Sequence, residues 1–208
     1  MSLHVHGTNI NTVAVIGAGF RGRAIAKSAL LAGYKTILED VSRQASDDAL
    51  AWIKSALDQE ADGNKVERDR PALKNNLSTA ASVEEALCEA DLVIEAAAEE
   101  MEVKIELFTI FDKFAKPNAI LASSSASLSI ADMASVTFCP ERCMGMRFSD
   151  SVAKSNEIEL LRAPETSEDT VNACREVARR MGKEVIVVQD FGASVVASGP
   201  LRSAAAQD

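Results

Sequence analysis

The sequence lacks any long apolar run. No stretch of its 208 residues approaches the roughly 18 consecutive apolar positions of a membrane-spanning helix, so helical spans are excluded. The N-terminus, Met1-Ser2-Leu3-His4-Val5-His6-Gly7, lacks the basic start and apolar core of a secretory leader. A cytoplasmic location is therefore expected. Positive charge is scarce: 22 Lys and Arg against 31 Asp and Glu leave a net charge of -9 at pH 7. Nothing would offset phosphate repulsion, which excludes nonspecific nucleic-acid binding. An anionic small molecule is not excluded, because backbone N–H groups hold phosphates locally. Histidine is confined to His4 and His6, on a stretch 1–9 expected to be a flexible tail. The four cysteines, Cys88, Cys139, Cys143 and Cys174, read as reduced thiols. Only Cys139 and Cys143 are close, and no second pair completes a metal site. Small buried side chains are the plainer reading, and no metal is expected. There is no internal repeat.

What is present is organised around Val13-Ala14-Val15-Ile16-Gly17-Ala18-Gly19-Phe20-Arg21-Gly22. A short β-branched run ends in Gly-x-Gly-x-x-Gly, and a helical pattern follows. Gly17 suits a tight turn, Gly19 lets a pyrophosphate approach the backbone, and Gly22 lets helix and strand pack closely. The helix N-terminus, with Phe20 and Arg21, offers free N–H groups to phosphates. The run Lys35–Asp40 reads as a second strand. It places Asp40 some 20 residues beyond the glycines, where an acid grips a ribose and repels a 2′-phosphate. A solvated turn acid is the alternative, and the spacing favours the ribose role, hence NAD.

Strand and helix patterns then alternate. Helices are predicted over Phe20–Ala32, Arg43–Asp58, Ser82–Glu89, a stretch ending at Ala115, Leu128–Ser135 and a segment from Ser167 to Gly182. Strands are predicted over Leu73–Thr79, Asp91–Ala96, Ala119–Ala122, Arg142–Phe148, Glu157–Leu161 and Glu184–Val188. The charged stretch 60–70 reads as a turn or short helix ending at Pro71. This alternation gives a Rossmann-type α/β fold: a doubly wound, mainly parallel sheet with helices on both faces. One domain spans 10–190, and 191–208 form a C-terminal tail. Ligands in such folds bind at the carboxyl ends of the strands. That rule gathers Gly17–Gly22, Asp40, Ala97, Ala98, Glu99, Ser123–Ser127 and Arg147–Asp150 into one cleft.

Residues 10–197 resemble the NAD-binding domain of the L-3-hydroxyacyl-CoA dehydrogenases. The resemblance rests on the glycine segment, on Asp91–Ala96 continuing to Glu99, and on Lys104-Ile105-Glu106-Leu107-Phe108. It extends through Ile120–Ser123, Ser127–Ile130, Pro140-Glu141-Arg142, Gly145–Phe148 and Gly182-Lys183. It implies an oxidoreductase of fatty acid metabolism that passes a hydride from a 3-hydroxyacyl-CoA to NAD. It also implies cofactor contacts from Glu99, Lys104 and Ser124, the last standing for the family's loop asparagine. Glu159 stands where a glutamate orients the catalytic histidine.

The histidine itself is replaced by Arg147, the loop serine by Ala126, and an asparagine by Asp150. A guanidinium has five N–H donors and no acceptor, so Arg147 cannot act as the general base. Two readings stay open for the catalytic positions. Asp150 or Glu159 accepts the proton while Arg147 binds an anionic group of the substrate. Alternatively, Arg147 pairs with one of those acids over an idle cleft, and the chain is an inactive NAD-binding homologue, a sensor or partner subunit. The sequence stops where the family's helical second domain begins, which implies an open cleft and a homodimer or partner complex.

Overall fold

Five residues, Thr12–Ile16, form the central strand β1, and every one of them is buried. A strand enclosed on both faces and both edges has no use for alternating polarity, and Thr-Val-Ala-Val-Ile has none. The computed structural model describes residues 9–59, 70–149, 152 and 156–190. Among them the chain runs β1, α1 (Phe20–Leu31), β2 (Lys35–Glu39), α2 (Arg43–Gln59), α3 (Arg70–Asn75) and β3 (Leu77–Thr79). It continues with α4 (Val83–Glu89), β4 (Leu92–Glu95), α5 (Met101–Phe114), β5 (Ile120–Ser123) and α6 (Ile130–Ala134). After a 3-10 turn, Pro140–Arg142, come β6 (Cys143–Phe148), β7 (Glu157–Arg162), α7 (Glu168–Arg180) and β8 (Glu184–Gln189).

The strands form one sheet in the order β3-β2-β1-β4-β5-β6-β7-β8. β1 to β6 are parallel, β7 turns back antiparallel to β6, and β8 runs parallel to β7. The chain winds outward from β1 to β3, then returns to lay β4 on the other side of β1. That reversal opens a crevice at the carboxyl ends of β1 and β4. α1, α2 and α7 pack on one face around Ile25, Ile53 and Val177. α4, α5 and α6 pack on the other around Leu87, Phe108 and Ile130. The doubly wound architecture expected from the alternation is the one found.

Local chemistry sets the element ends. Ser82 accepts from the Glu85 N–H at 3.3 Å while Glu85 Oε2 accepts from the Ala81 N–H at 2.6 Å, the two arms of a capping arrangement. One stretch differs from expectation. The third strand is only Leu77–Thr79, and a short helix precedes it. Pro71 sits in the first turn of that helix, where its missing N–H costs nothing, and does not end it. Residues 60–69 and the expected tails, apart from Asn9, lie outside the described residues.

Candidate functional site

The strand-to-helix turn after β1 is shaped by backbone contact. Gly17 has φ +106°, and a Cβ there would stand 2.6 Å from the Ala96 carbonyl group. A Cβ on Gly22 would stand 1.8 Å from the Gly17 carbonyl oxygen, so any side chain at 22 would force α1 away from the turn. Gly19 differs from both. It caps α1 at φ -62°, and a Cβ there would meet nothing within 4 Å. The space is open because it belongs to the cleft. Gly17 and Gly22 build the turn, and Gly19 faces what the turn holds. The Gly17 N–H donates to the Glu39 carbonyl at 2.7 Å, tying the turn to β2.

The cleft has a volume of about 630 Å³ and is lined by Gly17, Gly19, Phe20, Arg21, Asp40 and the Ala96–Ala98 run. Asp40 Oδ2 accepts from the Ala18 N–H at 2.8 Å and Oδ1 from the Ser42 N–H at 2.9 Å. The carboxylate is thus fixed beside the glycine turn with lone pairs to spare. Next to it Glu39 is buried. Burial, with the Asp40 and Glu84 charges adding to it, pushes its carboxyl up to about 7. Arg21 Nη1 donates to the Ser124 carbonyl at 3.2 Å, so the side chain bridges α1 and the end of β5.

Below the cleft lies a charged group that sequence reading missed. Glu95, fully buried at the end of β4, accepts from Lys104 Nζ at 2.8 and 2.9 Å. It also accepts from the Ser123 hydroxyl at 2.6 Å and from the Ala97 N–H at 2.6 Å. Lys104 Nζ reaches Glu99 Oε2 at 3.5 Å as well. Glu99 Oε1 in turn accepts from the Ser125 hydroxyl at 2.6 Å and from the N–H groups of Ala126 and Ser127 at 2.8 and 3.1 Å. Burial raises the Glu99 carboxyl, but the Ser125 hydroxyl, the Lys104 charge and the two N–H groups outweigh it and hold it below the usual carboxylate range. The ladder fastens the loop after β4 to the loop after β5. A carboxylate inside the apolar run Leu92–Glu95, with a lysine one helix away, was the signal for it.

The expected site residues are distributed unevenly. Gly17, Gly19, Phe20, Arg21, Asp40, Ala97 and Ala98 line the cleft, with Gly22 in the turn behind them. Glu99 and Ser124 are not among the lining residues; Ser124 is buried, and its carbonyl accepts from Arg21 at 3.2 Å. Lys104 does not line the cleft. The side chain is 1% exposed and its ammonium is held by Glu95 and Glu99. At the end of β6, Arg147 Nη1 donates to Glu159 Oε2 at 2.9 Å, across directly opposed positions of β6 and β7. This is one of the two pairings foreseen for Arg147; the other, with Asp150, falls outside the described residues. Asp150, His4 and His6 lie outside the described residues.

The model of the 3-hydroxyacyl-CoA dehydrogenase NAD-binding domain matches residues 12–191. The chain belongs to this family. The fold, the glycine turn and the fixed acid agree with it, and its cofactor is NAD. Among relatives, a probable 3-hydroxybutyryl-CoA dehydrogenase of Bacillus subtilis is 37% identical over 183 residues, 88% of this chain and 63% of that one. The 3-hydroxybutyryl-CoA dehydrogenase of Bradyrhizobium diazoefficiens is 36% identical over 187 residues, 90% of this chain and 64% of that one. The crystal structure of an (S)-3-hydroxybutyryl-CoA dehydrogenase from Ralstonia eutropha superposes with a TM-score of 0.83 at 31% identity, covering 90% of this chain and 66% of that one. This NAD-binding domain thus spans just under two thirds of the length of the curated relatives it matches.

Proposed function

We propose that the chain is the NAD-binding unit of an oxidoreductase of the 3-hydroxyacyl-CoA dehydrogenase type. The observation that carries this is the open cradle at Gly19, closed behind by Gly17 and Gly22 and flanked by the fixed Asp40 carboxylate. The N–H groups at the start of α1 would hold the pyrophosphate, with Arg21 beside them. Asp40 would accept from the ribose hydroxyls. Ala97 and Ala98 leave room for a flat group, and Glu99 and Ser124 would border its nicotinamide end. When bound, NAD supplies the hydride acceptor, and the donor would be a 3-hydroxyacyl-CoA. The proposed setting is cytoplasmic. A homodimer is the proposed assembly, because β8 leaves Ile186, Val187 and Val188 exposed at the sheet edge.

Two observations favour a second reading, a non-catalytic NAD-binding sensor or partner subunit. The position of the family's general base holds Arg147, already bonded to Glu159. The position of its oxygen-binding serine holds Ala126, whose N–H serves Glu99. Loss of a general base costs roughly 10²–10⁴ in rate.

Two measurements separate the readings. Calorimetric titration should show NAD binding, tighter than NADP. A 3-hydroxybutyryl-CoA assay following NADH absorbance should then compare the unaltered chain with the Arg147→His/Ala126→Ser double variant. Turnover by the unaltered chain at an ordinary rate overturns the sensor reading. Bound NAD with turnover only in the variant overturns the catalytic one.

A further inference from the structure

Helix α1 turns two faces to the rest of the protein. Gly22, Ile25, Ala26 and Ala29 are buried on the face toward the sheet. Lys27, Ser28 and Leu31, spaced at the helical period on the next face, line a second cavity of about 280 Å³. Trp52 of α2 forms one wall. The last residue of α7, Arg180, and Lys183 in the turn after it form another. The cavity shares no lining residue with the glycine-turn cleft, which takes only the first turn of α1.

Three of the lining side chains are cationic, and among the described residues no acid lines the cavity. In a chain with 31 Asp and Glu against 22 Lys and Arg, that is a local reversal of sign. α1 itself carries Arg21, Arg23 and Lys27 and no acid, with both arginines in the first turn, where the helix dipole disfavours them. The cations are held in place. Arg23 and Lys27 lie over the Trp52 ring, 4.7 and 5.9 Å from its centroid. Arg180 lies 4.2 Å over the Tyr34 ring and donates from Nη2 to the Ala32 carbonyl at 3.3 Å, crossing from α7 to the end of α1. Lys183 donates to the Val152 carbonyl, and burial lowers its ammonium below the ordinary lysine value. Carbonyl groups and aromatic rings orient a cation without neutralising it.

We propose that this cavity is a second anion site, separate from the dinucleotide cleft, that takes the phosphate groups of a phosphorylated ligand. Arg180 offers a planar fork, and Lys27 and Lys183 add point charges from two other directions. A phosphate carrying two charges answers that set more fully than a carboxylate carrying one. The cavity is smaller than the roughly 300–1,000 Å³ of sites for drug-sized molecules, so it admits phosphate groups and little more. A dianion bound there joins α1 to α7 beside Trp52. The site stands apart from the reading of the glycine-turn cleft and does not depend on it.

Trp52 is the only tryptophan of the chain, so its fluorescence reports on this cavity. Inorganic pyrophosphate titrated into the full chain should change that emission saturably, and added salt should weaken the binding. By calorimetry, Lys27→Gln and Arg180→Gln should each weaken pyrophosphate binding about tenfold, as expected for loss of one charge-assisted bond. Gly19→Ala, which alters the cleft, should leave it unchanged. A measurement on the unaltered chain needs no variant to fold: pyrophosphate should protect Lys27 and Lys183 from amine acetylation, read by peptide mass. Coenzyme A in competition tells two sources apart. Displacement of pyrophosphate makes the phosphates a substrate's, and binding without displacement makes them a free metabolite's. Trp52 emission that ignores pyrophosphate, equal affinity in Lys27→Gln and Arg180→Gln, or equal acetylation of both lysines with and without pyrophosphate overturns the proposal.

Discussion

Glu39 ends β2 with its carboxyl buried, and burial brings it to about 7 against an ordinary 4.5. The folded protein therefore keeps a proton that the unfolded chain releases as pH rises from about 4.5 to about 7. Stability falls with rising pH across that window, and the loss is complete above it. Glu39→Gln should raise stability at pH 8 by on the order of 2–3 kcal/mol and leave it nearly unchanged at pH 4. Urea denaturation at the two pH values checks this. The glycines make a second contrast at the same scale. Gly19→Ala should keep the melting temperature and weaken NAD binding at least about tenfold, since its methyl enters open cleft space. Gly22→Ala should instead fail to fold or melt far lower, because its methyl has nowhere to go. Calorimetry and thermal melts on both variants separate the ligand-facing glycine from the structural one.

Between elements, the ladder from Glu95 to Ser127 is the costliest thing to disturb. Lys104→Met leaves Glu95 buried and unpaired, and should cost about 3–5 kcal/mol in urea denaturation. The Glu95→Gln/Lys104→Met double variant should recover part of that loss, because the orphaned charge is gone. This ladder also marks where the sequence stopped being legible. The strands and helices showed through because hydrophobic period and capping residues are local: Ser82 with Glu85, the β-branched run before Gly17. The glycine turn and Asp40 were readable because their spacing follows from one βαβ unit. The burial of Lys104 was not legible, because a lysine on a helix gives no sign of whether its amine meets solvent or a carboxylate on the neighbouring strand. Pro71 was read as a stop when it was a start, since proline suits either end of a short helix. The meeting of Arg147 with Glu159 was set by the register of β6 against β7, a pairing no local pattern encodes.

For the whole molecule, the sheet is enclosed at its centre and, among the described residues, bare at one end. β8 exposes Ile186 at 46%, Val187 at 38% and Val188 at 39%, on a strand whose outer edge pairs with no described residue. Such an edge is a template for association. Sedimentation equilibrium should show self-association of the full chain, and Ile186→Lys should shift it toward monomer without changing NAD affinity. An unchanged dimer in that variant would place the contact elsewhere.

The placement of β1 has a consequence for the birth of the chain. Its partners are β2, which follows closely, and β4, with Val13 against Leu92 and Ile16 against Glu95. β1 therefore keeps the edge that meets β4 unmatched until residue 95 has been made. Through that interval the glycine turn has no Ala96 to rest on, and the nascent chain offers a Thr-Val-Ala-Val-Ile edge to any other strand nearby. The geometry that makes β1 the best-protected strand of the finished protein makes it the most vulnerable during synthesis.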